Sequence, residues 1–149
     1  NVAGIVGMGV AARIARGKMG DEGVRLSALR DRLEARILGA VPGSAVNGAR
    51  GFRVPNTTNI SFDRVEAESL LIALDLDGIA VSTGSACSSG TLEPSHVLKA
   101  MGFNAHRAQS SIRFSLGASN TDADIDRVIA VLPKIVEKLR SLTRTPVKA

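Results

Sequence analysis

From Ser82 to Thr91 the chain reads Ser82-Thr83-Gly84-Ser85-Ala86-Cys87-Ser88-Ser89-Gly90-Thr91, without one bulky side chain. Such a run carries too little apolar surface to build a core, and its glycines punctuate it as a loop. The fold must be assembled from what lies on either side. A short apolar strand, Ile79-Ala80-Val81, is expected to lead into the loop, and a helix opened by Pro94 to catch it. Proline suits a first helical turn because the N–H it lacks would be unpaired there. Loops held by rigid elements are where chemistry concentrates, and this one holds the only cysteine, Cys87.

The flanks mix helices and short strands without a βα repeat. Val2 to Met19 sets Val2, Ile5, Val6, Val10 and Ile14 among glycines and alanines, which predicts a helix with one very small face. Each interior glycine costs about 1 kcal/mol against alanine, a cost that close packing on another element would offset. Gly20-Asp21-Glu22-Gly23 is expected to break that helix. A second follows on Leu26, Leu29, Leu33 and Ile37 and ends at Gly39. Val41 to Val54 is read as turns with room for a short strand. Thr57 to Phe62 alternates as a strand, and Asp63-x-x-Glu66 reads as a capping box for a helix on Ala67, Leu70, Leu71 and Leu74 that stops at Gly78. Behind the loop, Val97, Leu98 and Met101 are expected to form one apolar face, closed by Gly102, and Asn104 to Gln109 to be a polar connection. Ser111 to Leu116 alternates again, with Ile112, Phe114 and Leu116 opposed to Arg113 and Ser115. A last helix opens at Thr121-x-x-Asp124 and carries an apolar stripe to Leu142. Pro133 predicts a kink or a displaced start, and Thr143 to Ala149 a frayed tail. The pattern is that of one α+β domain with a short, mostly antiparallel sheet covered by helices.

Composition narrows the function. The net charge of +5 is scattered over helix faces and, with 3% aromatic residues and no Trp or Tyr, gives no stacking platform for nucleic acid. A single cysteine makes no internal disulfide, and no His/Cys cluster has metal-ligand spacing, which fits a reducing compartment. No apolar run is long enough to span a membrane. The start at Asn1, in an apolar glycine-rich segment, leads us to expect a fragment of a longer enzyme.

Alone, Cys87 could be a small buried hydrophobe. Its setting among Ser85, Ser88 and Ser89, between Gly84 and Gly90, favours a nucleophile instead, which must act as the thiolate. Two thiol chemistries fail on spacing. A phosphatase loop, C-x5-R, would put its arginine where Glu93 stands, and a sulfurtransferase loop, C-x4-[RK], would put its cation at Leu92. Arg113, between Ile112 and Phe114, is either an outward-facing strand residue or a fork for a carboxylate. Thiol and fork together suggest an amino-acid substrate attacked at sulfur. His96 and His106 are read as surface or capping residues, Glu93 as orienting the helix behind the loop, and Glu66 and Glu68 as structural. The glycines of Val2 to Gly9 do not form a dinucleotide-binding loop.

The segment Ser82 to Leu98 resembles the cysteine-loop signature of NifS/IscS-type cysteine desulfurases. Asn1-Val2-Ala3-Gly4-Ile5-Val6-Gly7, Pro55-Asn56-Thr57-Thr58-Asn59-Ile60-Ser61-Phe62 and Ser110-Ser111-Ile112-Arg113-Phe114-Ser115-Leu116-Gly117 agree with that family in order and spacing. The resemblance implies the small, C-terminal domain of a pyridoxal-phosphate transferase of fold type I, spanning 1–149, with the large cofactor-binding domain outside this chain. It implies a cytoplasmic homodimer that converts L-cysteine to L-alanine. Cys87 would carry the persulfide and Arg113 would bind the substrate carboxylate. A sulfur-acceptor or iron–sulfur scaffold protein would be the partner, with neither nucleic acid nor membrane involved. None of Lys18, Lys99, Lys134, Lys138 or Lys148 has the family's Schiff-base setting after a histidine, so no cofactor-binding residue is expected here and the chain alone is expected to be inactive. A selenocysteine lyase, or a non-catalytic module that relays sulfur or docks a scaffold, are the rival readings.

Overall fold

The computed structural model describes residues 1–83 and 94–143. In chain order these are α1 (Val2–Ala40), β1 (Ser44–Val46), β2 (Thr57–Phe62), α2 (Ala67–Leu76), α3 (His96–Ala100), α4 (Ala105–Gln109), β3 (Ser111–Ser115) and α5 (Asp122–Thr143). The strands form one antiparallel sheet in the order β1-β2-β3. This is the α+β arrangement expected.

The alternation read in β2 and β3 decides which face is dry. Ile60, Phe62, Ile112 and Phe114 point into a core completed by Leu29, Leu33 and Ile37 of α1, Leu70 and Leu74 of α2, and Ile125, Leu132 and Val136 of α5. Thr57, Asn59 and Ser61 pair with Ser115, Arg113 and Ser111 and make the opposite face polar. Each fully buried Leu, Ile or Phe contributes about 1.5–3 kcal/mol. That settles why α5 runs unbroken through Pro133. A mid-helix proline costs about 3 kcal/mol, which burial of Ile125, Val128, Leu132 and Val136 exceeds severalfold. The helix starts as predicted, since the Thr121 N–H donates to Asp124 Oδ2 at 2.8 Å. The hydrogen bonds from the Thr121 backbone and hydroxyl hold the Asp124 carboxyl below the usual carboxylate range.

Several expectations need correction. The break at Gly20–Gly23 does not occur, and α1 continues through Gly39 to Ala40, with Val41 as its cap. Arg25 explains the continuity at the front. It donates to the carbonyls of Asn120 (2.7 Å) and Ala118 (3.0 Å) and pairs with Glu22 at 3.0 Å, so it fixes the turn that the glycines would loosen. Once packed residues 26–37 have nucleated a helix, each added residue gains a hydrogen bond, and no proline stops it. Asp63 does not cap α2. Its N-cap is Glu66, without a side-chain cap bond, and Asp63-Arg64 instead make a turn with Arg64 at φ 60°. Pro94 precedes the α3 cap, Ser95, rather than lying in the first turn. Val97 and Met101 are exposed, so Leu98 is the one buried side chain of α3; the helix is too short to bury a full stripe. Asn104 to Gln109 is not a plain connection. Asn104 Oδ1 accepts from the Arg107 N–H at 2.8 Å and caps the helix α4. Gly78 and Gly102 close their helices at positive φ, as their positions predicted. The tail 144–149 lies outside the described residues.

The first half of α1 stands apart. Residues 2–21 are all exposed, including Val2, Ile5, Val6, Met8, Val10, Ile14 and Met19. A Cβ added at Gly7, Gly9, Gly17 or Gly20 would meet no atom within 4 Å.

Candidate functional site

The polar face of the sheet is organised around Arg113. On β3 the alternation that buries Ile112 and Phe114 turns Arg113 the other way, beside Asn59 of β2. Its side chain is half-buried, and its Nε is fully buried without a hydrogen-bond partner among the described residues. An orphaned buried donor of this kind costs about 1–3 kcal/mol, and a planar guanidinium is suited to a carboxylate, which would satisfy it.

The backbone of Arg113 also anchors the root of the small-residue segment. Its N–H donates to Ser82 O at 2.6 Å, and the Ser82 N–H donates to Arg113 O at 3.2 Å, an isolated antiparallel bridge at the free edge of β3. Ile79-Ala80-Val81 is therefore not a strand of its own; pairing is limited to Ser82. Cys87 and Glu93 lie outside the described residues.

A hydrogen-bonded network that sequence reasoning missed braces the neighbour of Arg113. Asn47 Nδ2 donates to Asn59 Oδ1 (2.6 Å) and to Ser111 Oγ (2.9 Å), and the Asn47 N–H donates to Asn59 O (2.8 Å). Arg107 Nε donates to Asn47 Oδ1 at 2.7 Å, and its guanidinium carbon sits 4.4 Å from the centre of the Phe103 ring. Ser111 Oγ closes the circuit by donating to Arg107 O at 2.6 Å. The side-chain polar atoms of Asn47 and the Ser111 hydroxyl are thus all engaged, which keeps Asn59 in one orientation next to Arg113. The one sequence signal was the Asn104-x-x-Arg107 cap, because Asn47, which joins the two halves of the network, lies 60 residues from Arg107.

The other buried charges are structural. Glu34 is 4% exposed; it accepts from Arg53 Nη1 (2.6 Å) and Thr58 Oγ1 (2.9 Å) and keeps the Arg53 guanidinium above its ordinary value. Arg30 donates to the carbonyls of Val54 and Pro55. Together they clamp α1 to the segment before β2. Arg30 and Glu34 fall four residues apart behind Leu26, on the same helix face as the apolar stripe, and that spacing was the sign of their burial.

His96 and His106 are exposed on α3 and α4, and Glu66 and Glu68 are exposed at the start of α2. Among the described residues no three His, Cys, Asp or Glu side chains gather to hold a metal, and no helix is long and apolar enough to cross a membrane. Lys18, Lys99, Lys134 and Lys138 are all exposed to solvent. The described residues therefore do not fit a covalent pyridoxal-phosphate site.

A sequence model of the class-V aminotransferases matches residues 1–128. A cysteine desulfurase of Gluconacetobacter diazotrophicus is 49% identical over 143 residues, 96% of this chain and 36% of that protein. The cysteine desulfurase NifS of Azotobacter vinelandii is 48% identical over the same shares, and the cysteine desulfurase IscS 1 of Archaeoglobus fulgidus is 46% identical. A NifS-like protein of Rickettsia africae superposes with a TM-score of 0.79 at 32% identity, over 92% of this chain and 35% of the other. A second NifS-like protein gives 0.80 at 29% identity. The chain spans about a third of the length of the curated relatives it matches.

Proposed function

The chain belongs to the class-V aminotransferase family, and from that premise we propose that it is the C-terminal domain of a cysteine desulfurase that supplies sulfur for iron–sulfur cluster assembly. The reading is supported by its similarity to proteins named cysteine desulfurase, NifS and IscS. The observation that carries it to specific residues is the backbone bridge between Ser82 and Arg113. The segment that holds Cys87 leaves the sheet at the residue paired with the arginine whose buried Nε has no partner among the described residues. Cys87 lies five residues beyond Ser82, a chain distance of at most about 18 Å.

In this reading Arg113 receives the α-carboxylate of L-cysteine, with Asn59 held beside it by Asn47. The Cys87 thiol accepts the substrate's sulfur. L-cysteine and the thiol become L-alanine and a Cys87 persulfide, so atoms and electrons balance without an outside oxidant or reductant. Pyridoxal phosphate, supplied by parts of the enzyme beyond these residues, provides the electron sink. The working enzyme is a cytoplasmic homodimer that hands its sulfur to an acceptor or scaffold protein.

The test uses the full-length polypeptide carrying this chain, loaded with pyridoxal phosphate and assayed for alanine and for protein-bound persulfide. Cys87→Ser is expected to abolish the persulfide, and Arg113→Ala to raise KM for L-cysteine by at least about tenfold. Persulfide formation that survives Cys87→Ser would refute the assignment. Indifference to Arg113→Ala would turn the reading toward a sulfur-relay module.

A further inference from the structure

On the helical side of the sheet, away from the face that bears Arg113, the end of α1, the turn after β2 and the last turns of α5 border an open cavity of about 560 Å³. Arg64 and Arg140 both line it. Arg140 is half-buried; its Nε is bonded to the Asp63 carbonyl at 3.0 Å, it makes no ion pair among the described residues, and the Asp63 carboxylate acts on it only at longer range. Arg64 makes no hydrogen bond or ion pair with a described residue. Burial and the neighbouring Arg64 charge hold the Arg140 guanidinium below its ordinary value.

Arg64 is also the only described non-glycine residue at positive φ, 60°. The left-handed region is unfavourable for a residue with a Cβ, and such outliers persist where surrounding structure holds them. Here the Asp63 N–H is tied to Gly43 O (2.9 Å) and the Val65 N–H to Phe62 O (3.2 Å). Glycine would occupy the turn without strain; arginine places a cation at the cavity instead.

We propose that this cavity binds a small organic monocarboxylate, its head between Arg64 and Arg140 and its apolar body against Val41, Pro42, Pro133 and Val136. Two arginines without an ion pair among the described residues, one exposed and one half-buried, suit an anion, and the apolar lining suits a ligand with a hydrocarbon part. Glu137 lines the same cavity and pairs with neither arginine, so its charge opposes a dianion and favours a single negative charge. The inference rests on this cavity and is independent of the desulfurase reading.

Hexanoate, titrated calorimetrically into the full-length protein at fixed ionic strength, is the probe, with inorganic phosphate and chloride as comparisons. Saturable binding of one hexanoate per chain is expected, weakened about tenfold or more by Arg140→Gln and by Arg64→Gly. Arg64→Gly separates binding from folding, because relief of the turn should leave the unfolding temperature unchanged or higher. Hexanoate binding that is absent, that Arg64→Gly leaves intact, or that chloride matches overturns the site. Phosphate binding more tightly than hexanoate overturns the monocarboxylate.

Discussion

Arg113→Met should make this chain more stable. The buried Arg113 Nε has no partner, and the side chain makes no hydrogen bond among the described residues. An unsatisfied buried donor costs about 1–3 kcal/mol. Methionine has a similar length, keeps the aliphatic contacts and carries no donor to orphan. Because the arginine is half-buried and keeps part of its hydration, the lower part of that range applies, and a gain of about 1–2 kcal/mol is expected. For a chain of this size that is a rise of about 2–8 °C in Tm. Urea unfolding of the 149-residue chain, followed by circular dichroism, measures it through a higher midpoint at unchanged slope. The same substitution in the full-length protein should abolish productive binding of L-cysteine. Stability and function would then oppose each other at one residue, as expected for a side chain kept for a ligand. A loss of 1 kcal/mol or more on Arg113→Met would show that the guanidinium is already satisfied by the protein, and the carboxylate argument would fall with it.

Two further outcomes follow from the buried and capping charges. Glu34→Ala should cost about 1–3 kcal/mol in urea unfolding by leaving the Thr58 hydroxyl and Arg53 Nη1 without their acceptor while Asp31 still pairs with Arg53, whereas the double change Glu34→Met with Arg53→Met should cost less. Equal costs would mean the pair contributes by attraction alone. At the start of α5, the Asp124 carboxyl is held below its unfolded value, so its stabilisation is present above about pH 4 and is lost as pH falls through the depressed folded value. Carboxyl NMR should place the Asp124 midpoint below the ordinary aspartate range, and Thr121→Val should raise it; an ordinary midpoint in the unsubstituted chain would contradict the cap.

What was legible in the sequence was whatever one face of one element decides. The alternation of Ile60 and Phe62, and of Ile112 and Phe114, predicted two strands and set Arg113 on the polar side. The stripe from Ile125 to Val136 was strong enough to override Pro133. Features that depend on distant partners were not legible. Gly20 and Gly23 read locally as a break, and only the reach of Arg25 to carbonyls over 90 residues away holds that turn. The Asn47–Arg107 contact joins a loop to a helix too short to show a period. Arg64 gives no sign in the sequence of a left-handed backbone, which depends on the turn against Gly43.

The helix α1, about 58 Å long by its 39 residues, contains two regimes of local stability. Amides from Leu29 to Ile37 lie over the core and can exchange with solvent only when the domain opens. Those from Val2 to Met19 have helical hydrogen bonds but no tertiary cover and several glycines, and isolated helical segments of that kind open readily. One continuous helix should therefore show a step in hydrogen–deuterium protection near Val24–Leu26 rather than a uniform signal. Anything that comes to lie on Val6, Val10 and Ile14 would move that step toward the amino terminus, so the exchange profile of a single element becomes a gauge of contact made some thirty ångströms from the core.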